Sequence, residues 1–400
     1  MPRDESRERD LSPRTLMVHA GAARSQHGEM SEALYLTQGF AYDSAEAAAA
    51  RFNGADDGFV YARYGNPTVR MFEERIAALE GAEDAFATAS GMAAVNAAMT
   101  SQLKAGDHIV AARALFGSCL YIVETLLPRF GVAVNLVDGL DLDQWRRAMR
   151  PETVAVFLES PSNPTLEIID IAAVSEIAHG VGARVVVDNV FATPVFQRPL
   201  ALGADVVIYS ATKHIDGQGR CLGGVVLGTR RFIRDVLEPY MKHTGGAMSP
   251  FNAWVMLKGL ETLDIRARAQ ALSAAEIADT LADHPLVRRV IYPGRADHPQ
   301  FEMASRQLQT GGTMIALDLG DQETAFRFMN ALRIVLISNN LGDAKTIITH
   351  PRTTTHQRLN EEQRLALGIG PGLLRLSIGL ESADDLIADL TNALAESQAR

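Results

Sequence analysis

Several short polar clusters in the sequence have the residue types and the order needed for covalent chemistry on a bound group. The apolar runs VAVFL, VVV and VVIY are each followed at once by polar residues. These are Glu159-Ser160-Pro161-Ser162-Asn163, then Asp188-Asn189, then Ser210-Ala211-Thr212-Lys213-His214. A further cluster, Ser90-Gly91-Met92, opens a helical stretch and so offers free backbone N–H groups. A lysine amine can hold an aldehyde as a Schiff base. A buried carboxylate can keep a ring nitrogen protonated, which makes the ring an electron sink. A helix start flanked by hydroxyls suits a phosphate. Pyridoxal 5'-phosphate needs all three. Lys213 is therefore expected to carry its aldehyde and Asp188 to face its ring nitrogen. Gly91 and Met92, with Ser90, Ser210 and Thr212, are expected to hold its phosphate. Each cluster alone has a plainer reading, as a solvated lysine, a turn aspartate or a helix cap. The inference rests on their occurring in order at successive strand ends.

The elements that must position these residues can be read from the same sequence. HIVAA, VAVFLES, ARVVVDN, ADVVIYS and GGVVLG are short, continuous and Val-rich, the pattern of parallel strands covered on both faces. Between the second and third lies DIAAVSEIAHGVG, with Ile171, Val174, Ile177 and Val181 at helical spacing, which completes a βαβ unit. Pro67 and Thr68 open a helix with Phe72, Ile76 and Leu79 on one face, closed by Gly81. Ser90-Gly91 opens another, with Met92, Val95, Met99 and Leu103 on one face. AEAAAA, from Ala45 to Ala50, reads as a surface helix. Open sheets of this class bind ligands at the carboxyl ends of their strands, where the polar clusters fall.

After about Lys258 the alternation breaks down. RARAQALSAAEIADTLADHP reads as a long helix, followed by strands in VRRVIYP, TMIALDLG and IVLISNN and a terminal helix from Ala383. The expected division is an N-terminal segment over 1–60, a large α/β domain over 61–258 and a smaller α+β domain over 259–400. The first 14 residues, MPRDESRERDLSPR, are too polar to bury much surface and read as a disordered or partner-bound arm.

Composition removes several alternatives. A net charge of −10 argues against nucleic-acid binding. No apolar run approaches the ~18 residues of a membrane-spanning helix, and the charged N-terminus is not a signal peptide. Cys119 and Cys221 have no ligand-like spacing, so neither a disulfide scaffold nor a zinc site is expected, and a cytoplasmic location fits. His350 and His356 have no Cys or carboxylate cluster to complete a metal site and read as loop histidines. No G-x-G-x-x-G turn supports a nicotinamide-dependent oxidoreductase.

On these residues the chain resembles the Cys/Met-metabolism group of pyridoxal-phosphate enzymes. The matching motifs are YARYGNPT (Tyr61 to Thr68), ASGMAA (Ala89 to Ala94), ESPSNPT (Glu159 to Thr165), VDNVFATP (Val187 to Pro194), YSATKHIDGQGR (Tyr209 to Arg220) and LRLSIGLE (Leu374 to Glu381). The resemblance implies fold type I (aspartate-aminotransferase-like), with a mostly parallel seven-stranded sheet in the large domain and a smaller C-terminal α+β domain. It implies that Lys213, Asp188, Gly91, Met92, Ser210 and Thr212 have the roles already given. It adds Tyr61 and Arg63, reaching the phosphate from a neighbouring subunit, so that a homodimer is the smallest complete unit and a tetramer is usual. It adds Arg375 as the clamp on the substrate α-carboxylate, where a two-pronged donor suits a planar anion, and Asn163 beside it.

Two positions depart from the family pattern. Phe116 stands where many members stack a tyrosine on the ring, which keeps the stacking and loses the hydroxyl. More of the proton traffic then falls to Lys213. Asn340 stands where relatives often have serine near the lysine or the substrate. The segments DNVFATP, ATKHIDGQGRCLGG and ISNNLGDAKTIITHPRTTTHQR resemble one branch in particular, which exchanges the succinyl group of an acylated homoserine for sulfide. Other reactions of the family use the same machinery: cysteine as acceptor, an acetyl leaving group, or γ-elimination. A catalytically inactive binding protein is the alternative of another class, disfavoured by retention of the lysine, aspartate and arginine together. A succinyl group carries a second carboxylate, and Arg220 or Lys345, both within these segments, is the expected cation for it.

Overall fold

The computed structural model describes residues 11–398. The large sheet contains β1 (Asp84–Thr88), β2 (His108–Ala112), β3 (Ala133–Val137), β4 (Thr153–Glu159), β5 (Arg184–Asp188), β6 (Val206–Tyr209) and β7 (Gly224–Gly228), in the order β1-β7-β6-β5-β4-β2-β3. The strands from β3 through β6 are parallel, while β7 runs antiparallel to both β6 and β1. This is the mixed but mostly parallel seven-stranded sheet expected.

Side chains alternate between the two faces. Val156, Leu158, Val185, Val187, Val207, Val225 and Leu227 belong to one core, and Ala155, Phe157, Val186, Val206, Ile208 and Val226 to the other. Fully burying one such aliphatic side chain is worth about 1.5–3 kcal/mol, so the Val-rich runs specify a sheet covered on both faces. Two strands lack that signal. β1 (DAFAT) is alanine-rich, and β3 (AVNLV) is a partly exposed edge strand. Two helices end before their expected apolar stripe. Leu103 lies beyond the Gly91–Thr100 helix, and Val181 beyond Ile171–His179.

The C-terminal sheet contains β8 (Arg289–Ile291), β9 (Met314–Asp318), β10 (Leu336–Ile337), β11 (Ile347–Thr349) and β12 (Leu373–Ser377), ordered β10-β11-β12-β9-β8. Only β10 and β11 pair in parallel. β11 and β12 were not expected from periodicity. β11 has three residues, and β12 overlaps the LRLSIGLE motif.

The Leu263–Ala282 helix joins the two sheets' cores. Leu263, Ala267 and Ala271 pack into a core of the large sheet, while Ala274, Ile277, Ala278 and Leu281 pack under the small one. The helix Pro67–Glu80 is capped by Asn66, whose side chain accepts from the Thr68 and Val69 amides, and it closes at Gly81 with φ of 82°. The Ala45–Phe52 helix buries no residue, as a surface helix should. Of the expected N-terminal arm, residues 1–10 lie outside the described residues. Its last two residues are ordered: a helix begins at Pro13, and Arg14 pairs with Asp264 at 2.6 Å. Among the described residues no helix is long and apolar enough to cross a membrane.

Candidate active site

The carboxyl ends of β4, β5 and β6 and the start of the Gly91–Thr100 helix open on one cavity of about 1110 Å³. Strand pairing alone brings two carboxyl groups together there. Glu159 and Asp188 are register partners at the last positions of β4 and β5. Both are buried. Asp188 accepts from the Val190 amide at 3.1 Å, and burial pushes its carboxyl up to about 6. Glu159 accepts from the Phe116 amide at 2.9 Å. Burial first, and then Asp188, push Glu159 well above the usual carboxylate range.

Lys213 follows β6. Its Nζ donates to the Asn340 Oδ1 at 2.5 Å, which joins the large domain to the loop after β10. Burial, and then nearby Arg375, hold its amine down at about 8. Arg375 lies in the middle of β12, 2% exposed. One of its terminal nitrogens donates to the Asn163 Oδ1 at 2.8 Å, the other to the carbonyls of Asn339 and Asn340 at 3.2 and 3.1 Å. Its Nε is buried without a partner among the described residues. Removing one donor of a buried guanidinium from water is costly, so this nitrogen marks a place for an acceptor. Lys213, Asp188, Asn163, Asn340 and Arg375, read from distant segments, therefore meet in one cavity.

The helix start forms the second part of the site. The Ser90 Oγ accepts from the Ala93 amide at 3.1 Å. The Gly91 and Met92 amides before it have no carbonyl one turn earlier to bond. A Cβ on Gly91 would stand 2.5 Å from the Ser210 Cβ, so only glycine lets the helix start approach the end of β6 this closely. Ser210 and Thr212 line the same cavity. The Thr212 hydroxyl also ties its loop to Gly223, donating to the carbonyl at 3.1 Å and accepting from the amide at 3.0 Å. An amine, a buried carboxylate, a glycine-tight helix start and a buried arginine donor fit pyridoxal phosphate and a carboxylate-bearing substrate by their chemistry.

Other expected residues fall differently. Phe116 lines the cavity, held by the Glu159 carboxyl through its own amide. Tyr61 and Arg63 do not line it. Arg63 donates to the Lys242 carbonyl and lies over the Tyr64 ring at 4.7 Å, and Tyr61 is 38% exposed. Arg220 and Lys345 do not line it either. Arg220 pairs with Asp216 at 2.9 Å and Lys345 with Asp343 at 3.2 Å, so each cation is already matched by a carboxylate of its own segment.

His350 is structural, bridging the Thr353 hydroxyl and the Pro371 carbonyl at 2.8 Å each. No group of three or more His, Cys, Asp or Glu is placed to hold a metal among the described residues. Burial pushes the Cys119 thiol well up and Cys221 to about 11, away from thiolate chemistry. The site also contains residues to which sequence reasoning gave no role: Glu159, the buried His356 and Arg358. The in-register ends of two adjacent parallel strands were the available signal for Glu159. For the other two the available signal was their place at the end of ISNNLGDAKTIITHPRTTTHQR, which alone gives neither a role.

The chain is 54% identical over 390 residues to the O-succinylhomoserine sulfhydrylase of Mycobacterium tuberculosis, covering 96% of each chain. It is 50% identical over 382 residues to the protein of the same name from Pseudomonas aeruginosa, covering 95% of this chain and 94% of that one. A solved O-acetylhomoserine (thiol)-lyase from Campylobacter jejuni, containing N'-pyridoxyl-lysine-5'-monophosphate, superposes with a TM-score of 0.93 at 30% identity. That match covers 96% of this chain and all of the other. Residues 14–395 match the model of the Cys/Met metabolism PLP-dependent enzymes. A doubly covered seven-stranded sheet that brings a lysine, an aspartate and a helix start to one cavity thus has its counterpart across nearly the whole chain, which belongs to the Cys/Met metabolism family of pyridoxal-phosphate-dependent enzymes.

Proposed function

We propose that the protein replaces the succinyl ester of O-succinyl-L-homoserine with sulfide, giving L-homocysteine and succinate. The observation that carries this reading is 50–54% identity to two sulfhydrylases of that name over 94% or more of every chain compared. The cavity independently supports an amino-acid substrate, since it joins an amine lowered to about 8 to a buried arginine with an unpaired donor.

Bound pyridoxal phosphate supplies an aldehyde that links to amines and a ring that stores an electron pair. The chain's own residues do the rest. Asp188, which lines the cavity, would pair with the ring nitrogen and keep it protonated. Ser90, Gly91, Met92, Ser210 and Thr212 hold the phosphate. Phe116, which lines the cavity, would stack on the ring and has no proton to contribute. Arg375, steadied by Asn163, grips the substrate α-carboxylate and so fixes Cα over the amine of Lys213. Lys213, with its proton affinity lowered by burial, would carry a proton off Cα and then off Cβ, and would return one to each carbon once sulfide has bonded at Cγ. The C–O bond at Cγ breaks, succinate leaves, and sulfide takes its place. Asn340 holds the lysine between these transfers.

Tyr61 and Arg63 reach the phosphate of a neighbouring subunit, so the working form is a homodimer or a tetramer built from dimers. Their position outside the cavity of their own chain supports this. The test is product analysis of the holoprotein supplied with O-succinylhomoserine and sulfide. Homocysteine and succinate in equal amounts support the reading. Release of 2-oxobutanoate and ammonia with no homocysteine would instead make the protein a γ-lyase.

A further inference from the structure

The cavity wall contains three cationic side chains, Lys213, Arg375 and Arg358. The first two are engaged, Lys213 by Asn340 and Arg375 by Asn163 and two backbone carbonyls. Arg358 has no hydrogen bond, ion pair or ring contact among the described residues. The reason lies in its own segment. Glu361 pairs with Arg352 at 2.7 Å and with Arg364 at 3.3 Å, so the nearby carboxylate serves the two arginines that flank Arg358. The carboxylates that line the cavity, Glu159 and Asp188, are buried at strand ends and make no ion pair with it.

The segment that presents Arg358 is anchored. His350 is fixed to Thr353 and Pro371, the Thr354 hydroxyl donates to the His350 carbonyl at 2.7 Å, and His356 is buried in the same wall. An unpaired guanidinium on an anchored wall is a ready receptor for a planar anion. The two other cations expected for this task, Arg220 and Lys345, are paired internally and lie outside the cavity.

We propose that Arg358 is a specificity-determining residue that binds the distal carboxylate of a dicarboxylic substrate while Arg375 holds the α-carboxylate. The inference rests on the γ-replacement reading above for the identity of that substrate. It makes the preference for a succinyl over an acetyl ester a property of one side chain. Because Arg358 is exposed, its contribution is screened by salt and smaller than that of a buried pair.

The test uses two inert amino acids whose chains match the succinyl and acetyl esters in length and lack a leaving group. These are 2-aminononanedioic acid and 2-aminoheptanoic acid. Each is titrated into the holoprotein and followed by the visible absorbance of the bound cofactor. The wild type is expected to bind the diacid more tightly. Arg358→Gln is expected to weaken diacid binding by roughly tenfold, the low end for loss of a charge-assisted hydrogen bond, and to leave the monoacid unchanged. Arg358→Lys restores part of the difference, because the charge returns without the two-pronged geometry. Raising the salt concentration narrows the wild-type preference. An unchanged diacid preference in Arg358→Gln, or no preference in the wild type, overturns the proposal. The binding result is independent of turnover. If the preference depends on Arg358 and O-succinylhomoserine with sulfide gives no homocysteine, the subsite stands and the reaction reading falls.

Discussion

Replacing Gly91 with alanine tests how closely the helix start must approach β6. The added Cβ would stand 2.5 Å from the Ser210 Cβ, 2.6 Å from its Oγ and 2.9 Å from its Cα. Carbon atoms settle about 3.5–4.0 Å apart. The Gly91–Thr100 helix and the end of β6 must therefore separate by about 1 Å. Overpacking of this kind costs about 1–3 kcal/mol. The separation falls on the groups assigned to the phosphate, so most of that cost should appear in cofactor binding, as a roughly 10- to 100-fold loss of affinity. The assay titrates apoprotein with pyridoxal phosphate and follows the visible absorbance, with thermal unfolding of the apoprotein in parallel. Gly370→Ala is the control, since a Cβ there meets nothing within 4 Å. Adding Ser210→Gly to Gly91→Ala removes two of the three close contacts and should recover part of the melting temperature. It should not restore affinity, because a hydroxyl donor is lost. Wild-type affinity and wild-type melting temperature in Gly91→Ala would refute the cradle.

Three further outcomes follow from the same geometry. Burial lowers the Lys213 amine to about 8, so the rate at which apoprotein takes up the cofactor should rise with pH and level off just above 8. A midpoint near 10 in stopped-flow absorbance would contradict the buried amine, and Lys213→Ala should show no visible absorbance from covalently held cofactor. Glu80 is buried against the Tyr209 hydroxyl, and burial raises its carboxyl from 4.5 to about 8. The folded state therefore holds a proton that the unfolded state has lost, and this contribution is full below 4.5 and gone once pH passes about 8. The melting temperature of wild type relative to Glu80→Gln should fall across that window, and a constant difference would refute it. Mixing Lys213→Ala with Arg63→Ala subunits should restore about a quarter of the wild-type activity, because half of randomly paired dimers carry one complete site. No recovery after subunit exchange would refute a shared site.

The legible parts of the fold were those where one physical force dominates a short stretch. Val185 to Val187 and Val206 to Ile208 are buried on both faces, and continuous β-branched runs announce that. Their ends led to Asp188 and Lys213, because a parallel sheet delivers chemistry at its carboxyl edge. β1, β3 and β11 were missed for a different reason each: an alanine-rich sequence, an exposed edge and a length of three residues. Glu159 was visible at a strand end, but its role as a buried neighbour of Asp188 needs the register of β4 against β5. The expectation for Arg220 and Lys345 failed because Asp216 and Asp343, four and two residues away, neutralise them locally. Arg358 ends the ISNNLGDAKTIITHPRTTTHQR segment, but that place gives it no role, since only tertiary packing brings its segment to the cavity and only the pairing of Glu361 leaves it free.

The central claim is that this scaffold joins sulfide to a succinylated homoserine. The most direct measurement supplies the holoprotein with O-succinylhomoserine, sulfide and cysteine, the two nucleophiles at equal concentration, and identifies the products by mass spectrometry. The account predicts homocysteine as the main sulfur product, with succinate released in equal amount. Cystathionine as the main product would contradict it, keeping the family and the γ-replacement chemistry while assigning the wrong acceptor.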